Sequence, residues 1–166
     1  MQRLFPRWEV VKYLNAVVPW PYPPDGAEHF VREIALSEIA RGVSWFWSIR
    51  PKTAAGQLIG VISLTTKPTG NRGFWIDPAW QGQGLMTEAC DAVTDYWFEV
   101  LRQPVLRVPK AIANEASRRI SVKQGMRVVS REERDYVGGR LPSETWEITV
   151  EEWSKRKRQR LASSAS

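Results

Sequence analysis

From Leu85 to Leu101 the apolar residues Leu85, Ala89, Val93, Trp97, Val100 and Leu101 recur at helical spacing, which predicts a helix. Just upstream the pattern changes. Phe74, Trp75 and Ile76 are strand formers, and Pro78 ends that strand. Gly82 and Gly84 then permit torsions and close approaches that a Cβ would forbid. Around this strand–turn–helix the chain divides into further elements. A helix is expected over 7–16, a stiff proline-rich loop over 17–24, and a second helix from a capping-box-like Asp25 and Glu28 to about Arg41. Strands are expected at 44–49, 57–66, 73–77, 105–109, 126–136 and 143–150, with Gly138-Gly139 as a hairpin-like connection. A helix is expected over 114–124, and 151–160 reads as a frayed terminal helix.

A strand feeding a glycine turn at a helix N-terminus presents free N–H groups and the positive end of the helix dipole. Such a site suits a phosphate or diphosphate. Two glycine motifs fail here. A Walker A loop requires Gly-Lys-Ser/Thr, but Gly84 is followed by Leu85 and Met86. A dinucleotide fingerprint requires a third Gly or Ala, where this chain has Thr87.

The remaining string, Gln81-Gly82-Gln83-Gly84-Leu85-Met86, resembles the Arg/Gln-x-x-Gly-x-Gly/Ala loop of the GNAT N-acetyltransferases. Met86 departs from that pattern's final small residue. The longer string Trp80–Ala89 is similar to the branch that acetylates ribosomal-protein N-termini. A second segment, Asn114–Met126, resembles the family's Asn-x-x-Ser-x-x-x-x-x-Lys-x-Gly-Phe signature, with Met126 in place of Phe. Asn114 reads as a helix N-cap or near-cap and Gly125 as the C-terminal glycine. The resemblance covers residues 8 to 153 in layout, and its strong motifs occupy 73–89 and 114–126.

The resemblance implies an α/β (α+β) fold: a mixed, mostly antiparallel sheet flanked by helices. It also implies acetyl-coenzyme A as co-substrate, with no metal. The loop residues Gln81, Gly82, Gln83, Gly84, Leu85, Met86 and Thr87 would hold the diphosphate. Trp75, Ile76 and Asp77 would meet the cofactor's amide arm, and a free N–H at Ile76 or Asp77 would polarise the thioester. Asn114 would contact pantetheine, and Ser117 would protonate the departing thiolate. Many other branches place a tyrosine acid four positions later, where this chain has Ser121. Trp20, Tyr22 and Tyr136 are the expected wall of the acceptor site. The general base is open among Glu132, Glu133, Asp135, Glu144 and a water chain, and the lone His29 is expected to be structural.

Composition fits a single domain over 1–153. The chain has 166 residues, 43% of them hydrophobic, enough for one core. It has no apolar run of membrane-spanning length and no secretory pattern at its start, so a cytoplasmic location is expected. The lone Cys90 falls in the predicted helix, where a buried apolar role is expected. Lys155, Arg156, Lys157, Arg158 and Arg160 account for all but one of the net +6 charges. The segment 154–166 therefore reads as a basic, disordered tail, and a nucleic-acid partner is not expected.

Related chains begin with a strand before the first helix, and this one starts almost directly in the helix carrying Trp8, Val10, Val11 and Leu14. Either the chain begins late or another element takes that place. The edge at Ser44-Trp45-Phe46-Trp47 would be unpaired, and a homodimer through it is expected. The expected reaction is acetyl transfer to a primary amine, with a protein N-terminus as acceptor. The alternatives are a small amine or antibiotic as acceptor, and a coenzyme A-binding module without turnover.

Overall fold

A computed structural model describes residues 1–68 and 70–164. Among the described residues six strands form two antiparallel three-stranded sheets. β1 (Ser44–Ile49), β2 (Gly60–Thr65) and β3 (Arg72–Ile76) lie in that order. β4 (Val105–Ala111), β5 (Arg127–Tyr136) and β6 (Gly139–Thr149) form the other sheet, with β6 central. The helices are α1 (Trp8–Val11), α2 (Gly26–His29), α3 (Leu36–Ala40), α4 (Leu85–Asp95), α5 (Glu115–Lys123) and α6 (Val150–Ser164). The expected α/β class with mostly antiparallel strands stands, and no strand precedes α1 among the described residues.

β3 and β4 bring the two sheets together. Asn71 N donates to Arg107 O at 2.7 Å, and Arg107 N donates to Asn71 Oδ1 at 2.8 Å. Further on, Lys110 Nζ lies 5.2 Å from the Phe74 ring centre. Both pairs keep the same sequence offset, so the strands run in the same direction, as the α4 crossover between them requires.

The pairing stops for a reason written in the sequence. Val150 N bonds Pro104 O and Ile112 N bonds Pro142 O, which makes the even-numbered β4 residues the ones that bond β6. Odd-numbered residues face β3, and the second of them after Val105 is Pro109. Proline has no N–H to give, so the ladder begun at Asn71–Arg107 loses the bond residue 109 would donate, and no backbone bond joins β3 to β4 past it among the described residues. Beyond this point the sheets part.

Burial alternates along β2. Ile62 and Leu64 point into the main core, joined by Ile76, Leu106, Val108, Trp146, Ile148 and Trp153. The opposite face carries Val61 and Trp75 into a smaller cluster with Phe5, Val10 and Val11. α4 buries Met86, Cys90, Val93 and Thr94, one stripe at helical spacing. The expected apolar run holds to Trp97, but Val100 is exposed. A π-helical segment, Tyr96–Val100, shifts the register and turns Trp97 and Phe98 inward instead.

Three further expectations need correction. The helix expected over 7–16 is the single turn of α1. Asp25 makes no side-chain cap at α2. Gln2 does that work, its Oε1 accepting from Ala27 N at 2.8 Å while its Nε2 donates to Pro23 O. The tail expected to be disordered over 154–166 is helical to Ser164; Ala165 and Ser166 lie outside the described residues. It is tied down by the buried Trp153, whose Nε1 donates to Asp95 Oδ1 at 2.9 Å. Lys157 also pairs with Asp95 and Glu99, and Arg160 with Asp91, so acidic residues of α4 and its π-helical extension receive the tail's cations.

Among the described residues the β1 edge has no strand beyond it, as expected, but its aromatics are not bare. Trp45 and Trp47 pack against Tyr96, and Phe46 meets Phe30 edge-on at 5.4 Å.

Candidate active site

The parting of β3 from β4 opens a cleft of about 530 Å³. β3 supplies Phe74, Trp75 and Ile76. The glycine loop supplies Gln81, Gly82 and Gly84, and the first turn of α4 supplies Leu85, Met86 and Thr87. The α5 side supplies Asn114, Ser117, Arg119 and Lys123 among others. α1 and the residues after it contribute Glu9, Lys12 and Tyr13.

The glycine loop has the conformation its sequence suggests. Gly82 and Gly84 sit at φ +75° and +81°, in the left-handed region, and nothing lies within 4 Å of where a Cβ would be. Gly84 is also the N-cap of α4. The space over both glycines is therefore open, at the positive end of an eleven-residue helix. Arg119 and Lys123 add cations on the facing helix. These features fit a diphosphate-bearing ligand.

Ladder alternation decides which backbone groups face the gap. Asp77 N donates to Ile59 O, and Thr65 N to Asn71 O. Trp75 and Asp77 are thus turned toward β2, while Phe74 and Ile76 present their amides away from it, toward β4. Of the three residues expected to meet an amide arm, Ile76 alone has its N–H on the gap side, and its carbonyl receives Gln81 Nε2 at 3.3 Å. Asp77 does not line the cleft. Its carboxylate accepts from Ala79 N and pairs with Arg7.

Asn114 caps α5 by accepting from Ser117 N through Oδ1 at 3.2 Å. This places Ser117 in the first turn, 7% exposed, on the cleft wall. Behind it stands a residue that sequence reasoning missed. Lys110, 4% exposed, donates from Nζ to Ser117 Oγ at 2.5 Å. Burial lowers its pKa to about 7, helped by the charge of Arg72 and opposed by Cys90. The signal was present in β4: Leu106, Val108 and Lys110 alternate on one face, which puts a lysine at an inward position.

Other expected residues lie elsewhere. Gln83 is exposed and does not line the cleft. Trp20, Tyr22 and Tyr136 are also absent from its walls. Trp20 is beside Trp8, Tyr22 packs on Phe5 at 4.9 Å, and Tyr136 shares a buried hydrogen bond with Ser143. Glu132, Glu133 and Asp135 are exposed on β5, and Glu144 is buried between Arg118 and Arg131. None of these carboxylates lines the cleft, whereas Glu9 and Glu115 do. Cys90 is fully buried, and burial pushes its thiol pKa up, in keeping with a packing role.

A family model described as an acetyltransferase (GNAT) domain matches residues 1–127. The chain belongs to the GNAT family. Among curated proteins it is similar to "Putative ribosomal N-acetyltransferase YdaF" of Bacillus subtilis (strain 168), 35% identical over 74 residues. That match spans 42% of this chain and 40% of the relative, well under half its length. Among solved structures the fold is like that of Mycobacterium smegmatis RimJ in complex with CoA-disulfide (TM-score 0.78, 16% identity, 91% of this chain and 76% of that one). It is also like Vibrio cholerae spermidine N-acetyltransferase in complex with CoA and spermine (TM-score 0.73, 17% identity, 92% and 89%). At these identities the likeness establishes the GNAT fold. No helix among the described residues is long and apolar enough to cross a membrane.

Proposed function

We propose that this GNAT chain binds acetyl-coenzyme A in the β3–β4 cleft and transfers its acetyl group to a primary amine. One observation carries the reading. The open space over Gly82 and Gly84 at the α4 N-terminus lies in the same cleft as the outward amide of Ile76 and Ser117. The cradle, with Arg119 and Lys123 opposite, suits the diphosphate. Phe74 and Ile76 supply the backbone groups that an amide-bearing arm would pair with in place of a strand. The Ile76 N–H is the donor available to a thioester oxygen that gains charge. Ser117 is placed to hand a proton to the departing sulfur.

A protein N-terminal amine is the acceptor we favour, supported by the curated relative's description as a putative ribosomal N-acetyltransferase. The polyamine reading keeps the support of the spermidine N-acetyltransferase fold. Thiol release from acetyl-coenzyme A, followed with a panel of N-terminal peptides and polyamines, tests both. Peptide turnover supports the first, polyamine turnover the second, and coenzyme A binding without turnover would leave a binding module. The reading places the protein in the cytoplasm, where the co-substrate is made and used.

A further inference from the structure

Ser117 alone cannot finish the reaction proposed above. A serine hydroxyl is a far weaker acid than a thiol, so giving its proton to a thiolate leaves an alkoxide that must be neutralised. The direct tyrosine route is closed as well. Ser121 occupies that position, fully buried, and its Oγ has no hydrogen-bond partner among the described residues.

We infer that Lys110 supplies, through Ser117, the proton taken by the departing thiolate of coenzyme A; this rests on the acyl-transfer reading. The geometry is that of a two-step relay. Ser117 Oγ stands on the cleft wall, and Lys110 Nζ donates to it from inside the protein at 2.5 Å. Nζ also lies 5.2 Å from the Phe74 ring centre. Arg72 on β3 and Cys90 on α4 are its titratable neighbours from the core side. Glu144, opposite Lys110 on β6, is held by Arg118 of α5 and Arg131 of β5. Among the described residues no carboxylate pairs with the ammonium, and its pKa of about 7 makes it a stronger acid than a thiol of about 8.5.

The step balances. The acceptor nitrogen attacks the thioester carbon and the C–N bond forms. The tetrahedral adduct collapses, the C–S bond breaks, and sulfur leaves with the electron pair. Sulfur takes the Ser117 proton, Oγ takes one from Lys110, and Lys110 is left as a neutral amine. The acceptor nitrogen gives its surplus proton to solvent, and solvent returns one to Lys110 after product release. Lys110 is thus a positioning residue that acts through Ser117.

Thiol release by the full chain, followed from about pH 5.5 to about 9, tests this. The parent should show a descending limb in kcat near pH 7. Lys110→Met should lower kcat on the order of 10²-fold with little change in KM, and should abolish that limb. Lys110→Arg keeps the charge but cannot give up a proton, so it should stay as slow as Lys110→Met. Adding Lys110→Met to Ser117→Ala should cost nothing further, because the two act in series. An Nζ titration of labelled lysine in the unmutated protein, expected near pH 7, remains informative if a variant fails to fold. Full turnover by Lys110→Met, rescue by Lys110→Arg, or an ordinary pKa of about 10.4 would each overturn the relay alone. A parent chain that binds coenzyme A but releases no thiol with any amine would overturn the acyl-transfer reading and the relay with it.

Discussion

Gly84 gives the sharpest separation of fold from ligand. At φ +81°, an L-residue costs about 1–2 kcal/mol relative to glycine. Nothing in the free protein lies within 4 Å of the added Cβ, so no clash adds to that cost. For a chain of this size, Gly84→Ala should lower Tm by about 2–8 °C. Coenzyme A should be affected far more. The new methyl projects into the open cradle and holds a phosphate away from the α4 N–H groups. Each charge-assisted hydrogen bond lost costs about 1.5–3 kcal/mol, or roughly 10- to 150-fold in Kd. Gly84→Val should abolish binding. Gly42→Ala is the control, since Gly42 is also left-handed at φ +65°, also has nothing within 4 Å, and lies away from the cleft. The two alanine variants should melt alike, and only Gly84→Ala should lose affinity by calorimetry. Equal affinities for coenzyme A would refute the cradle.

Four other outcomes are expected. Ser117→Ala should lose on the order of 10²-fold in kcat with a nearly unchanged KM for acetyl-coenzyme A, by steady-state kinetics. Trp153→Ala should cost about 3–5 kcal/mol in denaturant unfolding, whereas deleting the residues after Ser154 should cost less and in a salt-dependent way, because the pairs lost are largely exposed. Folding lowers the Lys110 pKa, so the unfolded chain holds the extra proton between about pH 7 and 10.5; stability should rise with pH across that window, with a slope that Lys110→Met reduces. Sedimentation at micromolar concentration should show a dimer that Phe46→Pro disrupts, and a monomeric parent chain would remove the proposal of pairing at the β1 edge.

The elements were legible where the sequence states its own boundary. β1 falls at Ser44–Ile49 as its pattern reads, and the α5 cap at Asn114 follows from residue type and position. The glycine loop was legible for the same reason, since positive φ leaves few residues to choose from. Long-range contacts were not. Asp25 and Glu28 look like a local cap, but Gln2, far away in the chain, occupies that role. The tail's composition suggests solvent, and its fate depends on Asp91, Asp95 and Glu99 lying opposite. Lys110 reads as one cation among many until β4 turns it inward against Ser117. Tyr136 has the chemistry of an acceptor wall, but the β5–β6 pairing commits its hydroxyl to Ser143.

The one-ended joint between the sheets has a thermodynamic consequence. Past Asn71 and Arg107 no backbone hydrogen bond joins β3 to β4 among the described residues, so the Phe74 and Ile76 N–H groups have no strand to bond. A ligand arm lying there would complete a ladder that the chain itself leaves open. Its binding energy then becomes part of the energy holding the two halves together. At 100 times its dissociation constant such a ligand adds about 2.7 kcal/mol to the folded state. Resistance to heat and to proteolysis would then follow co-substrate concentration, and the molecule's lifetime would track the supply of the compound it consumes.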